Sequence, residues 1–68
     1  MIYIFLADGF EEVEALAPLD ILRRANLDTV TVGVTGEFVT GAHNITVKAD
    51  IALSDVKFEN TYIRKKCY

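Results

Sequence analysis

Residues 2–24, IYIFLADGFEEVEALAPLDILRR, decide the fold that this sequence predicts. The stretch opens with a continuous apolar run, Ile2–Ala7, whose β-branched and aromatic residues are typical of a strand covered on both faces in a parallel sheet. The run ends at Asp8-Gly9-Phe10, where glycine can adopt the positive φ of a tight turn. The sequence therefore predicts a central strand that leads through a short turn into a helix.

The helix is predicted from Glu11 to about Ala25, with acidic residues in its first turn and two arginines in its last turn, as the helix dipole favours. Its apolar residues cover more than one face, so we expect one face to pack on the sheet and another on a partner or on a missing segment of the protein. Pro18 lies inside the helix and leaves the carbonyl of Glu14 without its usual amide donor. This predicts a bend near Glu14, although a proline early in a helix is also common without a functional role.

A second strand is predicted at Thr29–Val34, where the alternating pattern indicates one buried face formed by the valines. Strand, helix and strand make a right-handed βαβ unit with parallel strands. Farther on, Phe38–Thr40 and Ile45–Lys48 flank a four-residue loop and predict a peripheral β-hairpin, followed by one helical turn at Leu53–Val56. The predicted class is α/β, a partial flavodoxin-like (Rossmann-like) parallel sheet with one βαβ unit and a β-hairpin.

Composition excludes several function classes. The 68 residues give room for one small domain, and 51% apolar and 25% charged residues are ordinary for a folding chain. A net charge of -3 offers no basic surface, so we expect no nucleic-acid binding. No apolar run approaches the ~20 residues of a membrane helix, so no membrane association is expected. One cysteine cannot form an internal disulfide, which fits a cytoplasmic location.

Glu11, Glu12 and Glu14 cluster just past the carboxyl end of the first strand, where open α/β sheets gather ligands and catalytic groups. The first two are explained as first-turn acids favoured by the dipole. Glu14 sits among apolar neighbours and is the best candidate for a pocket carboxylate. From the pattern alone, a solvated helix acid is the favoured alternative.

The sequence indicates no cofactor and no metal site. The turn around Gly9 lacks the glycine spacing of a nucleotide-binding loop. His43 has no histidine or cysteine at ligand spacing, so we expect an exposed turn residue and not a ligand or base. Cys67 follows two lysines but stands next to the end of the chain, where we expect an inert thiol.

Three segments resemble the amino-terminal third of the ThiJ/PfpI family: LADGFEEVEALAPLDILRRA (6–25), VTVGV (30–34) and VTGAHNITVKADIALSDV (39–56). This family includes the parkinsonism-associated deglycase-like proteins and bacterial proteins labelled as thiazole monophosphate biosynthesis or intracellular protease/amidase, with a class I glutamine amidotransferase-like fold. The resemblance covers about residues 1–60 and rests on a compound signature, F-E-E-V-E followed by P-x-D and R-R.

The resemblance implies a flavodoxin-like, usually dimeric protein with a cysteine nucleophile on a strained turn. An acidic residue of the first helix lies beside that cysteine in the family, and by motif position it is Glu14 here, expected to hydrogen-bond the thiol and tune its reactivity. The same helix is implied as the interface of a homodimer, with Glu14, Pro18, Asp20 and Arg24 as candidate interface residues.

The sequence departs from the family after residue 60, and the nucleophile-bearing turn of the family has no counterpart. We therefore expect residues 1–60 to be the amino-terminal part of such a domain and 61–68 to be a divergent tail, with neither Cys67 nor His43 inheriting a catalytic role. A truncated, inactive fragment is expected, and the alternative is a small interaction module that self-associates through its apolar helix. One face of the first strand would lack its covering helices, which predicts poor solubility.

Overall fold

The structure is a computed structural model that describes residues 1–56 and the backbone of residues 65–67. One parallel sheet has the strand order β5-β2-β1-β6, and β3 and β4 form a separate antiparallel hairpin. The predicted α/β class, with one βαβ unit and a β-hairpin, is confirmed. The elements in chain order are β1 (Ile2–Leu6), α1 (Glu12–Arg24), β2 (Thr29–Gly33), β3 (Phe38–Thr40), β4 (Thr46–Lys48), β5 (Ile51–Ala52), a 3-10 turn (Leu53–Asp55) and β6 (Lys65–Cys67).

Strand β6 was not predicted, because its sequence Lys-Lys-Cys has no apolar pattern. It pairs in parallel with β1, in the register Ile4 to Lys66, and makes β1 an interior strand of the sheet. The other residues of the predicted divergent tail, 61–64 and 68, lie outside the part of the chain that the structure describes.

Strand β1 is buried on both faces, as its continuous apolar sequence predicts. Ile4 and Leu6 belong to the core on the side of α1, and Tyr3 and Phe5 belong to a second cluster on the opposite face with Val32 and others. The expectation that one face of this strand lies uncovered is wrong, because Tyr3 and Phe5 are both buried. That face has its own small core, completed by partly buried Val30 and Ile51 and by buried Val56.

Strand β2 corrects the predicted burial pattern. Thr29 and Thr31 are buried as well as Val32, whereas Val34 lies beyond the strand and is exposed. The reason is that both faces of β2 are covered: the last turn of α1 and Asp50 lie over the threonines, and the cluster with Tyr3, Phe5 and Val56 covers the valines. A period-two pattern predicts burial from the positions of apolar residues. It therefore misses small polar residues, such as these threonines, that are buried with hydrogen-bond partners.

Asp50 provides the hydrogen bonds that satisfy the polar groups of buried Thr31. Its Oδ2 accepts hydrogen bonds from the backbone N–H of Thr31 at 2.9 Å and from its hydroxyl at 3.0 Å, and that hydroxyl accepts one from the backbone N–H of Asp50 at 2.9 Å. Arg23 of α1 also contacts Oδ2 at 2.6 Å. Burial raises the pKa of Asp50, but the hydrogen bonds from Thr31 and the charge of Arg23 outweigh it and lower the pKa below its ordinary value.

Helix α1 confirms the predicted span to within a residue at each end. It ends in a Schellman-type motif, because Asn26 adopts φ 60° and the N–H of Leu27 donates to the carbonyl of Leu22. One face packs on the sheet through Ala15, with Leu19 and Leu22 half-buried against the core. The opposite face carries apolar residues that are exposed in the single chain, so the expected second packing surface stays a prediction.

The hairpin is more than a peripheral appendage, which corrects the sequence-based expectation. Val39 of β3 is fully buried and joins Ile4, Leu6 and Phe10 in the main core, with Val47 of β4 half-buried beside them. The hairpin therefore packs, together with α1, against the core that includes Ile4 and Leu6 of β1. Among residues 1–56 and 65–67, no helix is long and apolar enough to cross a membrane.

Replacing Val39 with alanine tests this packing role. We expect Val39→Ala to lower the free energy of unfolding by about 2 kcal/mol, because it removes two fully buried methyl groups and leaves a cavity. Val34→Ala is the matched control, since the same change at this exposed position should cost at most about 0.5 kcal/mol. Urea denaturation measures both values, and equal losses would contradict a core role for the hairpin.

Candidate functional site

The candidate site lies at the corner where β1 passes into α1. Gly9 adopts φ 89°, which confirms the predicted positive φ of the turn. The turn is fixed to the hairpin, since the N–H of Gly9 donates to the carbonyl of Thr40 at 2.8 Å and the N–H of Ala42 donates to that of Phe10 at 2.8 Å. The side chain of Asp8 accepts a further hydrogen bond from the N–H of Thr40 at 3.2 Å. The first acids of α1 therefore face a hairpin in a defined position.

Glu12 is the residue that connects this corner to the hairpin loop. Its side chain is buried, with the residue only 4% exposed, although the sequence explained it only as a first-turn acid favoured by the helix dipole. Oε2 accepts hydrogen bonds from the backbone N–H of His43 at 2.8 Å and of Ile45 at 3.4 Å. Oε1 lies 2.8 Å from Nδ1 of the His43 ring. One carboxylate thus holds the loop through two backbone amides and one side chain.

Gly41 makes room for this carboxylate. A Cβ at position 41 would collide with the Cδ and Oε2 atoms of Glu12, so any residue other than glycine would force the carboxylate out of its present position. Gly41 is itself buried, and its N–H donates to the carbonyl of Ile45 at 2.9 Å within the loop. The glycine and the glutamate form one packing unit although 29 positions separate them in the sequence.

The loop shifts the pKa values of both partners. Burial alone raises the pKa of Glu12, but hydrogen bonds from the His43 ring and from the backbone amides of Glu12, His43 and Ile45 outweigh it and hold the pKa at about 2. The hydrogen bond that the His43 ring donates to Glu12 and the negative charges of Glu12 and Glu11 raise the pKa of His43, against a smaller opposing effect of burial. Both shifts favour the charged pair.

The sequence predicted His43 to be an exposed turn residue, and its side chain is 70% exposed. Its interaction with Glu12 was not predicted, since nothing in the local spacing connects residues 31 positions apart. Nδ1 also lies 3.9 Å from Oε2 of Glu11. Within the described residues, Glu11, Glu12 and His43 form the one set whose donor atoms all lie within 4.8 Å of one another. The fold therefore brings the imidazole of His43 beside two carboxylates that are distant from it in the sequence.

Glu14, the predicted catalytic acid, lies exposed on α1 and outside the Glu12–His43 network. Within residues 1–56, no hydrogen bond or ion pair engages its carboxylate. Of the other residues predicted on this helix, Pro18 is half-buried, and Asp20 accepts hydrogen bonds from Nε of Arg24 at 3.0 Å, which confirms the predicted pair. The side chain of Cys67 lies outside the described residues.

Two of the open clefts among the described residues have volumes of about 400 Å³. One, of about 420 Å³, lies past the carboxyl ends of β2 and β5 and is lined by Gly33–Gly36 and Ala52–Ser54. This edge of a parallel sheet is the usual place for ligands, but the cleft contains no titratable side chain. The other, of about 400 Å³, runs along α1 between Val13 and Ile45. It is lined mainly by the apolar exposed face of the helix.

Comparison with known proteins gives a consistent family assignment. The sequence model of the DJ-1/PfpI family matches residues 1–63. Two uncharacterized proteins of Staphylococcus epidermidis are each 38% identical over 58 residues, which cover 84% of this chain and 34% of the relative. The chain therefore spans about a third of the length of these relatives.

Solved structures extend the likeness to the fold. Toxoplasma gondii DJ-1, in an oxidized form, is 36% identical with a TM-score of 0.84 over 94% of this chain and 36% of that one. A DJ-1 superfamily protein of Salmonella typhimurium, solved as a cysteine-to-alanine mutant, is 42% identical with a TM-score of 0.77, covering 79% of this chain and 30% of that one. Schizosaccharomyces pombe DJ-1 is 25% identical with a TM-score of 0.75, covering 82% and 31%. The flavodoxin-like arrangement that the resemblance implied is thereby confirmed.

The Glu12–His43 pair makes stability depend on pH. His43 has a raised pKa, so its contribution is complete below its ordinary value of 6.5 and is lost as the pH rises through the folded value. Glu12 has a lowered pKa, so its contribution is complete above 4.5 and is lost as the pH falls towards about 2. We expect the stability advantage of the natural chain over His43→Gln to be largest between these ordinary values and to shrink at alkaline pH.

Urea denaturation of both chains at intervals from about pH 5 to 9 measures this difference. The matched control repeats the His43→Gln change in a Glu12→Gln background, where the difference should vary much less with pH, because only the charge of Glu11 still raises the pKa of His43. A stability difference that is constant over this range in the natural background would contradict the ion pair.

Proposed function

The chain belongs to the DJ-1/PfpI family, and from this membership we propose that it supplies the acid-bearing, amino-terminal part of a cysteine-dependent enzyme. The proposed substrates are small carbonyl or amide compounds, as in deglycase, glyoxalase or amidase reactions. Glu14 is the proposed supporting acid, and the nucleophilic cysteine comes from outside residues 1–56, which contain none. By itself the 68-residue chain is proposed to be inactive.

This proposal is supported by the different contacts that the three acids of the corner make. Glu12 is buried and bound to the hairpin loop, and Glu11 lies within 3.9 Å of the same histidine. Glu14 is the acid of the three that no partner within residues 1–56 engages, and its helix begins past the carboxyl end of β1. This leaves its carboxyl group available to a residue that packs over the corner.

A carboxyl group beside a cysteine acts on the thiol by hydrogen bonding. When it donates a hydrogen bond to the sulfur, it stabilises the thiolate relative to the thiol and so lowers the pKa of that cysteine. The thiolate is the nucleophilic form, which adds to the carbonyl carbon of the substrate. Glu14 is thus proposed as a positioning residue that acts through the cysteine.

A chimera tests the role of Glu14. Residues 1–56 of this chain replace the matching segment of Toxoplasma gondii DJ-1, which has the same fold over this region at 36% identity. We expect the chimera to consume methylglyoxal, and Glu14→Gln to reduce kcat by ~10²-fold with little change in KM. The rate of thiol alkylation against pH should shift to higher pH in the same variant, an effect that a merely structural defect would not produce.

Glu37→Gln is the matched control, because it removes an exposed acid on the hairpin side without touching the corner. Equal activity and equal alkylation profiles of the chimera and its Glu14→Gln variant would contradict the proposal. The 68-residue chain alone should consume methylglyoxal at the rate of buffer, and activity that is lost on Glu14→Ala would refute its proposed inactivity.

We further propose that the chain forms a homodimer through α1, with Glu14, Pro18, Asp20 and Arg24 in the interface. The support is the exposed face of the helix, where Val13 is 78% and Ile21 is 65% exposed. Ala17, between them at four-residue spacing, is exposed as well and continues the stripe. Large apolar side chains exposed in a row are typical of a face that packs against another protein surface.

Sedimentation equilibrium tests the homodimer. We expect twice the mass of the 7.6 kDa chain, and we expect Ile21→Glu to give a monomer, because a charge would be buried in the interface. Phe38→Glu is the matched control, since Phe38 is equally exposed but lies on the hairpin. A monomeric natural chain, or equal dissociation by both substitutions, would contradict this interface.

A cytoplasmic location completes the proposal. The single cysteine, Cys67, fits a reducing compartment, because one thiol cannot form a disulfide within the chain.

A further inference from the structure

We propose that Glu11, Glu12 and His43 bind a divalent transition-metal ion, for which Zn²⁺ is the representative. The site is separate from the proposed role of Glu14, and it uses side chains that neither the family signature nor the local sequence spacing indicated as ligands. It follows from the meeting of two chain segments, the amino end of α1 and the loop between β3 and β4.

The donor atoms lie at distances that a metal ion can bridge. Nδ1 of His43 is 2.8 Å from Oε1 of Glu12 and 3.9 Å from Oε2 of Glu11. Nitrogen and oxygen ligands bind Zn²⁺ at ~2.0–2.2 Å, which places neighbouring ligand atoms roughly 3–3.5 Å apart on the ion. The Glu11 side chain is 53% exposed and can rotate the small distance that closes the set. On the Glu12–His43 side, the ion takes the place of the shared proton.

The most buried ligand is already held in position. Oε2 of Glu12 accepts hydrogen bonds from the backbone N–H groups of His43 and Ile45, which fixes the direction of Oε1. Partners of this kind orient the ligands of a metal and commonly change its affinity by ~10–100-fold when they are lost. The same two amides fix the loop that carries His43, so both ends of the site are ordered by one set of contacts.

The donor set selects the class of metal. An imidazole nitrogen with two carboxylates suits zinc and neighbouring transition metals, whereas magnesium and calcium prefer oxygen ligands alone. A cleft of about 240 Å³ beside the three residues is walled by Val13 and Ile45 and opens to solvent. It gives the ion access and leaves room for a water as fourth ligand. Three protein ligands and an open position make an exchangeable site, not a closed structural one.

Calorimetric titration of the untagged, chelator-treated 68-residue chain with ZnCl₂ tests this site. We expect one ion to bind per chain. Glu11→Gln should weaken binding by at least ~10-fold, because loss of a ligand costs no less than loss of a partner that orients one. His43→Ala should weaken it by at least as much, and circular dichroism checks that each variant is folded.

Glu37→Gln is the matched control, since it makes the same change in charge on an exposed hairpin acid and should leave the affinity unchanged. Glu11→Gln decides the matter if His43→Ala does not fold, because Glu11 is exposed and accepts no hydrogen bond in the loop network. The proposal is overturned if Zn²⁺ does not bind, if Glu11→Gln binds it as tightly as the natural chain, or if MgCl₂ binds with equal affinity.

Discussion

The carboxylate of Glu12, buried between the start of α1 and the hairpin loop, is the contact on which the arrangement of this corner depends. A buried carboxylate is costly unless hydrogen bonds satisfy it, and here two backbone amides and an imidazole do so. Because the same contact fixes the loop, it also fixes the hairpin over β1, where Val39 completes the main core. Gly41 is the steric condition for that contact, since any side chain there would occupy the space of the carboxylate.

A comparable contact ties together the other end of the βαβ unit. Asp50 binds both the backbone and the hydroxyl of Thr31 and pairs with Arg23 at the end of α1. In both places, an acid binds polar groups of a segment that is distant from it in the sequence. Helix α1 is thus attached at its first and last turns, and its apolar outer face is left exposed between them.

This arrangement bears on chemistry because it separates neighbouring acids that look alike in sequence. Glu12 is used for structure, Glu11 stands beside the same histidine, and Glu14 is unengaged within residues 1–56. An acid that acts on a thiol must be free of other partners. Two acids that lie beside the same histidine are instead placed so that, together with its imidazole, they can bind a cation.

Local sequence patterns predicted the fold class and the main elements. The apolar run predicted β1, the turn with Gly9 and the flanking acids and arginines predicted α1 and its ends, and the motif of residues 6–25 indicated the family. These are local properties, set by residue type and by periods of two or 3.6 residues. The short strands β5 and β6 were not predicted. Tertiary structure alone decided that Thr29 and Thr31 are buried, that Val39 belongs to the core, and that Glu12 meets His43 across 31 positions. Such contacts depend on where the chain returns in space, and no local pattern records which distant hydrogen-bond partner will make burial of a polar group favourable.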